Sequence, residues 1–242
     1  MNLVFTMAGK YSRFKLFGSK VPKYLLPLSN GTVLFKIIEL YKHSLNNINF
    51  FFIANRDDQL FFPILRSIMR NFDIPDDNLI YIDDNSSQLE TAIMAIDLIP
   101  KLEKNKPICF SNIDTIISNR KGFFKKLETC LPTEGLVDTF QGQSKQYSYI
   151  RVKDDWLISD IVDNNLVSQN ACSGLYGFGS FEEMFKQANT LLKIEATANF
   201  TQLYKHYLKH KRDVYYVYSE NALDTIVVGT PDEYVINIHK FK

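Results

Sequence analysis

Short apolar runs near 2–6, 49–54, 79–82 and 107–111 have the length of buried strands. Helical spacing fills the stretches between them, near 32–43, 57–71 and 88–100. Strands separated by helices imply crossover connections, so the spacing predicts an α/β fold with a mostly parallel sheet covered on both faces. The third helix is the best marked: Ser87-Gln88-Leu89-Glu90 reads as a capping box, and Leu89, Ala92, Ile93 and Ile96 make one apolar stripe. In the second half 135–140, 147–152, 157–162 and 172–179 read as successive strands. Helices return near 181–192 and 199–209, and strands near 213–218 and 225–228 precede a closing helix. Thr230-Pro231-Asp232-Glu233 opens that helix with a second capping box and Pro at its first position. No linker rich in Gly, Ser or Pro and no internal repeat breaks the chain, so residues 1–242 are expected to form a single domain.

One segment departs from this regular pattern. Residues 7–28 read MAGKYSRFKLFGSKVPKYLLPL, directly after the first apolar run. The loop carries Lys10, Arg13, Lys15, Lys20 and Lys23, and no Asp or Glu occurs before Glu39. A strand that empties through a Gly turn into a wholly basic loop suits a polyanion. Backbone N–H groups approach phosphate where Gly removes the side chain, and Lys and Arg neutralise its charge. Taken on charge alone, such a loop could equally be a solvated basic surface. Generic phosphate motifs do not fit: Gly9 is not followed by the Gly-Lys-Ser/Thr of a P-loop, and Lys10-Tyr11 breaks a dinucleotide fingerprint. Ligands in such sheets bind beyond the carboxyl ends of the strands, where Asn112-Ile113-Asp114 also falls, so both segments are expected to face one crevice.

Composition narrows the class without naming it. The chain is 45% hydrophobic and 23% charged, as expected for a globular protein with a packed core. It holds no apolar run long enough to span a membrane, and no basic-then-apolar leader precedes the first strand. A net charge of +1 gives no reason to invoke nucleic acid or an anionic membrane. Cys109, Cys130 and Cys172 fit neither a disulfide framework nor a zinc site and suggest buried thiols in a reducing cytoplasm. The four His residues do not cluster. His206 and His210, one turn apart on a Lys-rich helix, are expected to be solvated.

The order of motifs carries a resemblance. Ala8-Gly9-x-x-x-Arg13-Phe14 followed by Pro22-Lys23-x-Leu25-Leu26-Pro27-Leu28 resembles the signature of the nucleotidyltransferases that make nucleotide-activated sugars and small phosphorylated metabolites. Ser111-Asn112-Ile113-Asp114, Ser168…Gly174-Leu175-Tyr176 and Val228-Gly229-Thr230-Pro231 follow in the family's order, across nearly the whole chain. The resemblance implies a single Rossmann-like (glycosyltransferase-A-like) α/β domain. Residues 1–130 would form its nucleotide-binding half and 131–242 its acceptor-binding half. It places Arg13 on the outgoing phosphates, Lys23 between the α-phosphate and the acceptor phosphate, and Asp114 on a Mg²⁺ ion. The residues agree with that last role. Mg²⁺ takes one or two carboxylates plus phosphate oxygens, although an Asp in such a place can also simply cap a turn.

Other assignments follow from the same resemblance. Ala8 and Gly9 would approach the base through their backbone. The polar run at Asp83–Gln88, with Ser87 and Gln88 at the helix start and Asn112 opposite, would read base and ribose. A second metal ligand is left open: many members carry Asp where this chain has Val227, and Asp224 is either that ligand or a turn residue. Tyr11 stands where a second Gly is usual. The acceptor region holds Asn164, Ser168, Gly174 and Tyr176, and Asn164 replaces the Lys that grips a sugar phosphate, which favours a different acceptor.

The expected activity is Mg²⁺-dependent transfer of a nucleotidyl group from a nucleoside triphosphate to a phosphorylated small molecule. Among family members the chain is most similar to the compact cytidylyltransferases of capsular polysaccharide modification, which implies CTP and L-glutamine phosphate as substrates. The alternatives are a sugar-1-phosphate nucleotidyltransferase and a catalytically silent nucleotide-binding subunit. No nucleic-acid or membrane partner is expected, and oligomeric state, a homodimer included, stays open.

Overall fold

The computed structural model describes all residues except 46–47, 84–86, 100–101, 220 and 242. The first half alternates as expected. β1 (Asn2–Thr6) leads through a loop and the short α1 (Ser12–Leu16) to a small hairpin, β2 (Pro27–Leu28) and β3 (Gly31–Thr32). Then come α2 (Val33–Ser44), β4 (Asn49–Asn55), α3 (Phe62–Asn71), β5 (Leu79–Ile82), α4 (Gln88–Ile96) and β6 (Ile108–Asn112). β7 (Thr115–Ile117) and α5 (Lys121–Glu128) precede the strand-rich part: β8 (Gly135–Gln141), β9 (Ser148–Val152), β10 (Ile158–Asp163) and β11 (Asn170–Phe178). The chain closes through α6 (Phe181–Leu192), α7 (Phe200–Lys209), β12 (Val214–Ser219), β13 (Thr225–Val227) and α8 (Pro231–Asn237).

Two boundaries differ from the pattern. The helix expected over 57–71 is a 3-10 segment, Arg56–Phe61, followed by α3. Asp58, at φ −84° and ψ +15°, interrupts the helical backbone, and the regular helix starts at Phe62 with Pro63 in its first turn, where a missing N–H costs nothing. The helix expected over 88–100 stops at Ile96, and position 100 lies outside the described residues.

Among the described residues the central sheet is mixed and runs β10-β9-β11-β6-β1-β4-β5, with β8 and β12 extending from β11. β5, β4, β1 and β6 are parallel neighbours, as the crossover helices require. β11 then pairs antiparallel with both β6 and β8. Period-two alternation divides the core between the two faces. Leu3 and Phe5 point into one cluster with Ile37 of α2, Met69 of α3 and Phe123 of α5. Val4 points into the other with Ile93 of α4, Met184 of α6 and Tyr204 of α7. Burying these stripes on both faces orders the sheet, at roughly 25 cal/mol per Å² of apolar area removed from water.

The register positions the functional loops. Thr6 at the end of β1 pairs with Asn112 at the end of β6. The basic loop and the Asn112–Asp114 turn therefore leave the sheet side by side at its carboxyl edge.

Candidate active site

Two cavities open at that edge and share Lys23, Asn112 and Asp114. The larger, about 450 Å³, is lined by Ala8, Gly9, Lys10, Tyr11, Ser87 and Gln88 besides the shared residues. The smaller, about 180 Å³, is walled by Arg13, Gln146, Tyr147, Ser173, Gly174, Tyr176, Val227, Gly229 and Glu233, among others. One cavity has room for a nucleoside and the other for a small molecule, with a cation and a carboxylate at their junction.

The larger cavity gathers Ala8, Gly9, Ser87, Gln88 and Asn112, while Asp83, also expected at the nucleotide, is exposed and paired with Arg56 at 3.0 Å. Ser87 caps α4, its hydroxyl accepting from Glu90 N at 3.1 Å. That cap points the start of the helix at the cavity, where Gln88 donates its amide to Thr6 Oγ1 at 3.1 Å and Asn112 Oδ1 at 2.7 Å. These bonds hold the Gln88 side chain in one pose, as a base-reading amide requires. Asp84, Asn85 and Ser86, expected beside them, lie outside the described residues.

At the junction Lys23 Nζ lies 3.0 Å from Asp114 Oδ2, and both side chains are partly exposed. Lys23 is held by the 3-10 turn after Pro22, which buries its neighbours Tyr24 and Leu25. Asp114 is fixed from behind, since its carbonyl accepts from Val228 N at 2.8 Å. This bond docks the closing motif on the Asp114 turn. Arg13, on α1, reaches across the smaller cavity to donate to Gln146 Oε1 at 3.1 Å. All three residues expected to handle phosphate therefore converge.

Glycine is required at Gly174. Its φ is +91°, and a Cβ there would sit 2.7 Å from Asn112 Nδ2. β11 thereby passes close to Asn112, and desolvation raises the phenol pKa of Tyr176, two residues further along the strand.

Three expected site residues lie elsewhere. Asn164 is exposed at a turn after β10, at φ +54°, and its N–H donates to Tyr147 O. A short polar side chain tolerates that left-handed backbone, which is why Asn stands there. Ser168 spends its hydroxyl on Ile150 O at 2.7 Å and on Asn170 N at 3.1 Å. Neither residue lines either cavity. Asp224 accepts from Ser118 Oγ, Asn119 Nδ2 and Asn221 Nδ2. It sits at the far end of the β7–β13 ladder from Asp114, so the turn-residue alternative describes it. Val227, opposite Thr115 at the near end, holds the place beside the site.

His206 also departs from expectation. It is buried, hydrogen-bonded to Gln187 and set at a tilt against the His210 ring, because α6 packs over that face of α7. No group of three or more potential metal-ligating side chains occurs among the described residues.

Glu233 is a site residue that the sequence marked only as a helix cap. Its Oε2 accepts from Thr230 N and Oγ1, completing the capping box of α8, and its Oε1 accepts from Tyr147 Oη at 2.7 Å. A Cβ on Gly229 would lie 3.3 Å from Asp114 Oδ2 and 3.4 Å from Glu233 Oε2. The bare glycine thus leaves both carboxylates facing the smaller cavity.

Solved structures share this fold. A nucleoside-diphosphate-sugar pyrophosphorylase from Vibrio cholerae RC9 superposes with a TM-score of 0.79 at 18% identity, covering 98% of this chain and 99% of that one. A UDP-glucose pyrophosphorylase complexed with UDP-glucose gives 0.74 at 16% identity, over 99% and 97%. The inositol-1-phosphate CTP transferase of T. maritima gives 0.73 at 10% identity, over 99% and 94%. No protein-family model and no curated protein matches the sequence.

Proposed function

We propose that this chain is a nucleotidyltransferase that joins a nucleoside triphosphate, CTP in our reading, to a phosphorylated small molecule and releases pyrophosphate. The observation that carries the reading is the junction of the two cavities, where Lys23 and Asp114 stand between a nucleoside-sized and an acceptor-sized space. The three structural neighbours, two pyrophosphorylases and a CTP transferase, support the same reaction class.

In the reaction an acceptor phosphate oxygen bonds to the α-phosphorus while the bond to the β-phosphate oxygen breaks. The nucleophile is already an anion near neutral pH, so no general base is required. Catalysis reduces to alignment and charge neutralisation. Lys23, shared by both cavities, lies where it can reach the α-phosphate and the incoming phosphate together. Arg13 offers a planar fork to the leaving phosphates. Gln88 and Asn112 present amide groups to the base.

Asp114 fits a Mg²⁺ site: it is a partly exposed carboxylate beside the phosphate-binding cations, with open space at Gly229. Asp224 does not fit, because it sits at the far end of the β7–β13 ladder, bonded to Ser118 and Asn119 after β7 and to Asn221 of its own turn. A bound Mg²⁺ would supply charge neutralisation on the polyphosphate, and Asp114 is the residue that would hold it.

For the acceptor we propose L-glutamine phosphate or a close relative, used in capsular polysaccharide modification. Asn164 no longer supports this choice, since it lies outside the cavity. Support comes instead from the cavity wall, where Glu233 and Gln146 present a carboxylate and an amide that complement an ammonium and an amide. The sugar-nucleotide neighbours favour a second reading, a sugar-1-phosphate acceptor. Pyrophosphate release measured with each triphosphate against a panel of acceptors separates the two. No release with any pair would leave a silent nucleotide-binding subunit.

A further inference from the structure

Asp58 lies in the 3-10 segment after β4, is only 3% exposed, and lines neither cavity, standing behind Tyr11 and Tyr24 of the larger one. Its carboxylate is the shared acceptor of two phenols. Tyr11 Oη donates to Oδ1 at 2.8 Å and Tyr24 Oη donates to Oδ2 at 2.9 Å. These tyrosines bracket the basic loop: Tyr11 stands two residues before Arg13, and Tyr24 directly follows Lys23. A second tie runs in parallel. The buried Asn55 donates its amide to Ala8 O at 3.2 Å and accepts from Asp57 N at 2.9 Å. The loop after β1 is therefore hung on the loop after β4 at three points.

Tyr11 is held in an unfavourable backbone conformation. Its φ is +40° and ψ +37°, in the left-handed region that glycine adopts freely and a tyrosine does not. Lys15 Nζ lies 4.4 Å above its ring, so the phenol is fixed from both ends. Burial pushes the Asp58 pKa up, and the two phenol hydrogen bonds pull it back. A buried carboxylate of this kind is not needed for packing, since an apolar side chain can fill such a space without desolvating a charge. Its distinctive property is that both donors come from the segment carrying Arg13 and Lys23.

We propose that Asp58 is a positioning residue that clamps both ends of the basic loop through Tyr11 and Tyr24. The clamp sets Arg13 and Lys23 for a triphosphate before the ligand binds. This rests on the nucleotidyltransferase reading. Preorganisation of this kind lowers the ordering cost of binding, and it acts most on the polyphosphate, which meets both cations, and less on the acceptor phosphate, which meets Lys23. The strain at Tyr11 is then explained: glycine would relax the backbone but would lose the tether.

The test uses the full chain carrying Tyr11→Phe, Tyr24→Phe, Tyr11→Gly or Asp58→Asn. CTP and inorganic tripolyphosphate binding are measured by calorimetry, beside thermal melting and the KM of each substrate. Tyr11→Phe leaves one oxygen of a buried carboxylate without its donor and is expected to melt somewhat below wild type while staying folded, and Tyr11→Gly offsets part of that loss by relieving the backbone. Each should nevertheless bind CTP and tripolyphosphate about tenfold more weakly, as loss of a hydrogen bond to a charged group predicts. The acceptor KM should rise less than the CTP KM, and combining Tyr11→Phe with Asp58→Asn should cost less than the two losses together. Unaltered polyphosphate binding in Tyr11→Phe and Tyr24→Phe, or equal shifts in both substrates' KM, would overturn the clamp. The functional reading fails separately. A wild-type chain that binds tripolyphosphate but never releases pyrophosphate would refute transfer while the binding comparison still decides the clamp. A wild-type chain that binds no polyphosphate would refute both.

Discussion

Lys23 Nζ and Asp114 Oδ2 are 3.0 Å apart, and they are also the two charges that a triphosphate and its metal ion would separate. With side chains 22% and 30% exposed, the pair contributes little to folding, on the order of 1 kcal/mol or less. It keeps each charge near its working position while the site holds no substrate.

Asp114→Asn is therefore expected to abolish turnover and leave the melting temperature almost unchanged. The amide cannot neutralise a hard cation, whereas the fold loses only a weak surface pair. Pyrophosphate release measured beside thermal melting checks both halves. Wild-type turnover in the variant would remove Asp114 from the mechanism.

Arg13→Ala should slow turnover by about 10²-fold or more, comparable to deleting one preorganised donor to a developing anion. Arg13 is placed on the leaving phosphates, so the loss should be the same for every acceptor. Its bond to Gln146 spans an exposed gap, and Gln146→Ala should leave stability near wild type. A defect confined to one acceptor would move Arg13 to the other side of the site.

The strand and helix order was legible because burial imposes a period: Leu3 and Phe5 face one core, Val4 the other. The candidate site was legible for a related reason. Residues at the ends of adjacent parallel strands emerge together, so Gly9 and Asp114 fall side by side, and the 3-10 turn after Pro22 brings Lys23 to them. Asn164 and Ser168 follow a family motif in order along the chain yet lie outside both cavities, Ser168 spending its hydroxyl on backbone groups. Of the two readings open for Asp224, its place at the far end of the ladder favours the turn residue. Polar side chains near motifs often satisfy neighbouring backbone groups, and spacing does not separate that use from ligand binding. Glu233 was missed in the opposite sense. Its capping role was read correctly from Thr-x-x-Glu, and nothing in that motif shows that Tyr147 and Gly229 bring the carboxylate to the cavity.

The buried Arg120–Asp138 pair gives a prediction about stability. Arg120 Nε donates to Asp138 Oδ1 at 2.8 Å, and the side chains are 4% and 0% exposed. The same guanidinium donates to Ser118 O and Thr225 Oγ1, joining β8 to the β7–β13 ladder behind Asp114. Arg120→Ala should cost about 3–5 kcal/mol, since it strands a carboxylate whose pKa burial already raises. Replacing both partners, Arg120→Met with Asp138→Leu, should recover most of the loss. Denaturant unfolding of the single and double variants decides the matter. A single variant as stable as wild type would show that the pair carries no such role.

The acceptor preference is the boldest expectation. Pyrophosphate release is expected with CTP and L-glutamine phosphate, and little with glucose 1-phosphate under the same conditions. A difference of about 10³-fold corresponds to roughly 4 kcal/mol in the transition state. Polar groups left unpaired in a mismatched pocket can supply that much. Glu233→Gln isolates the residue proposed to face the ammonium. Glutamine still completes a capping box, so α8 should hold. The variant should raise the KM for L-glutamine phosphate and leave the KM for CTP unchanged. Equal turnover with hexose 1-phosphates would overturn the acceptor assignment, and an unchanged acceptor KM in Glu233→Gln would remove Glu233 from it.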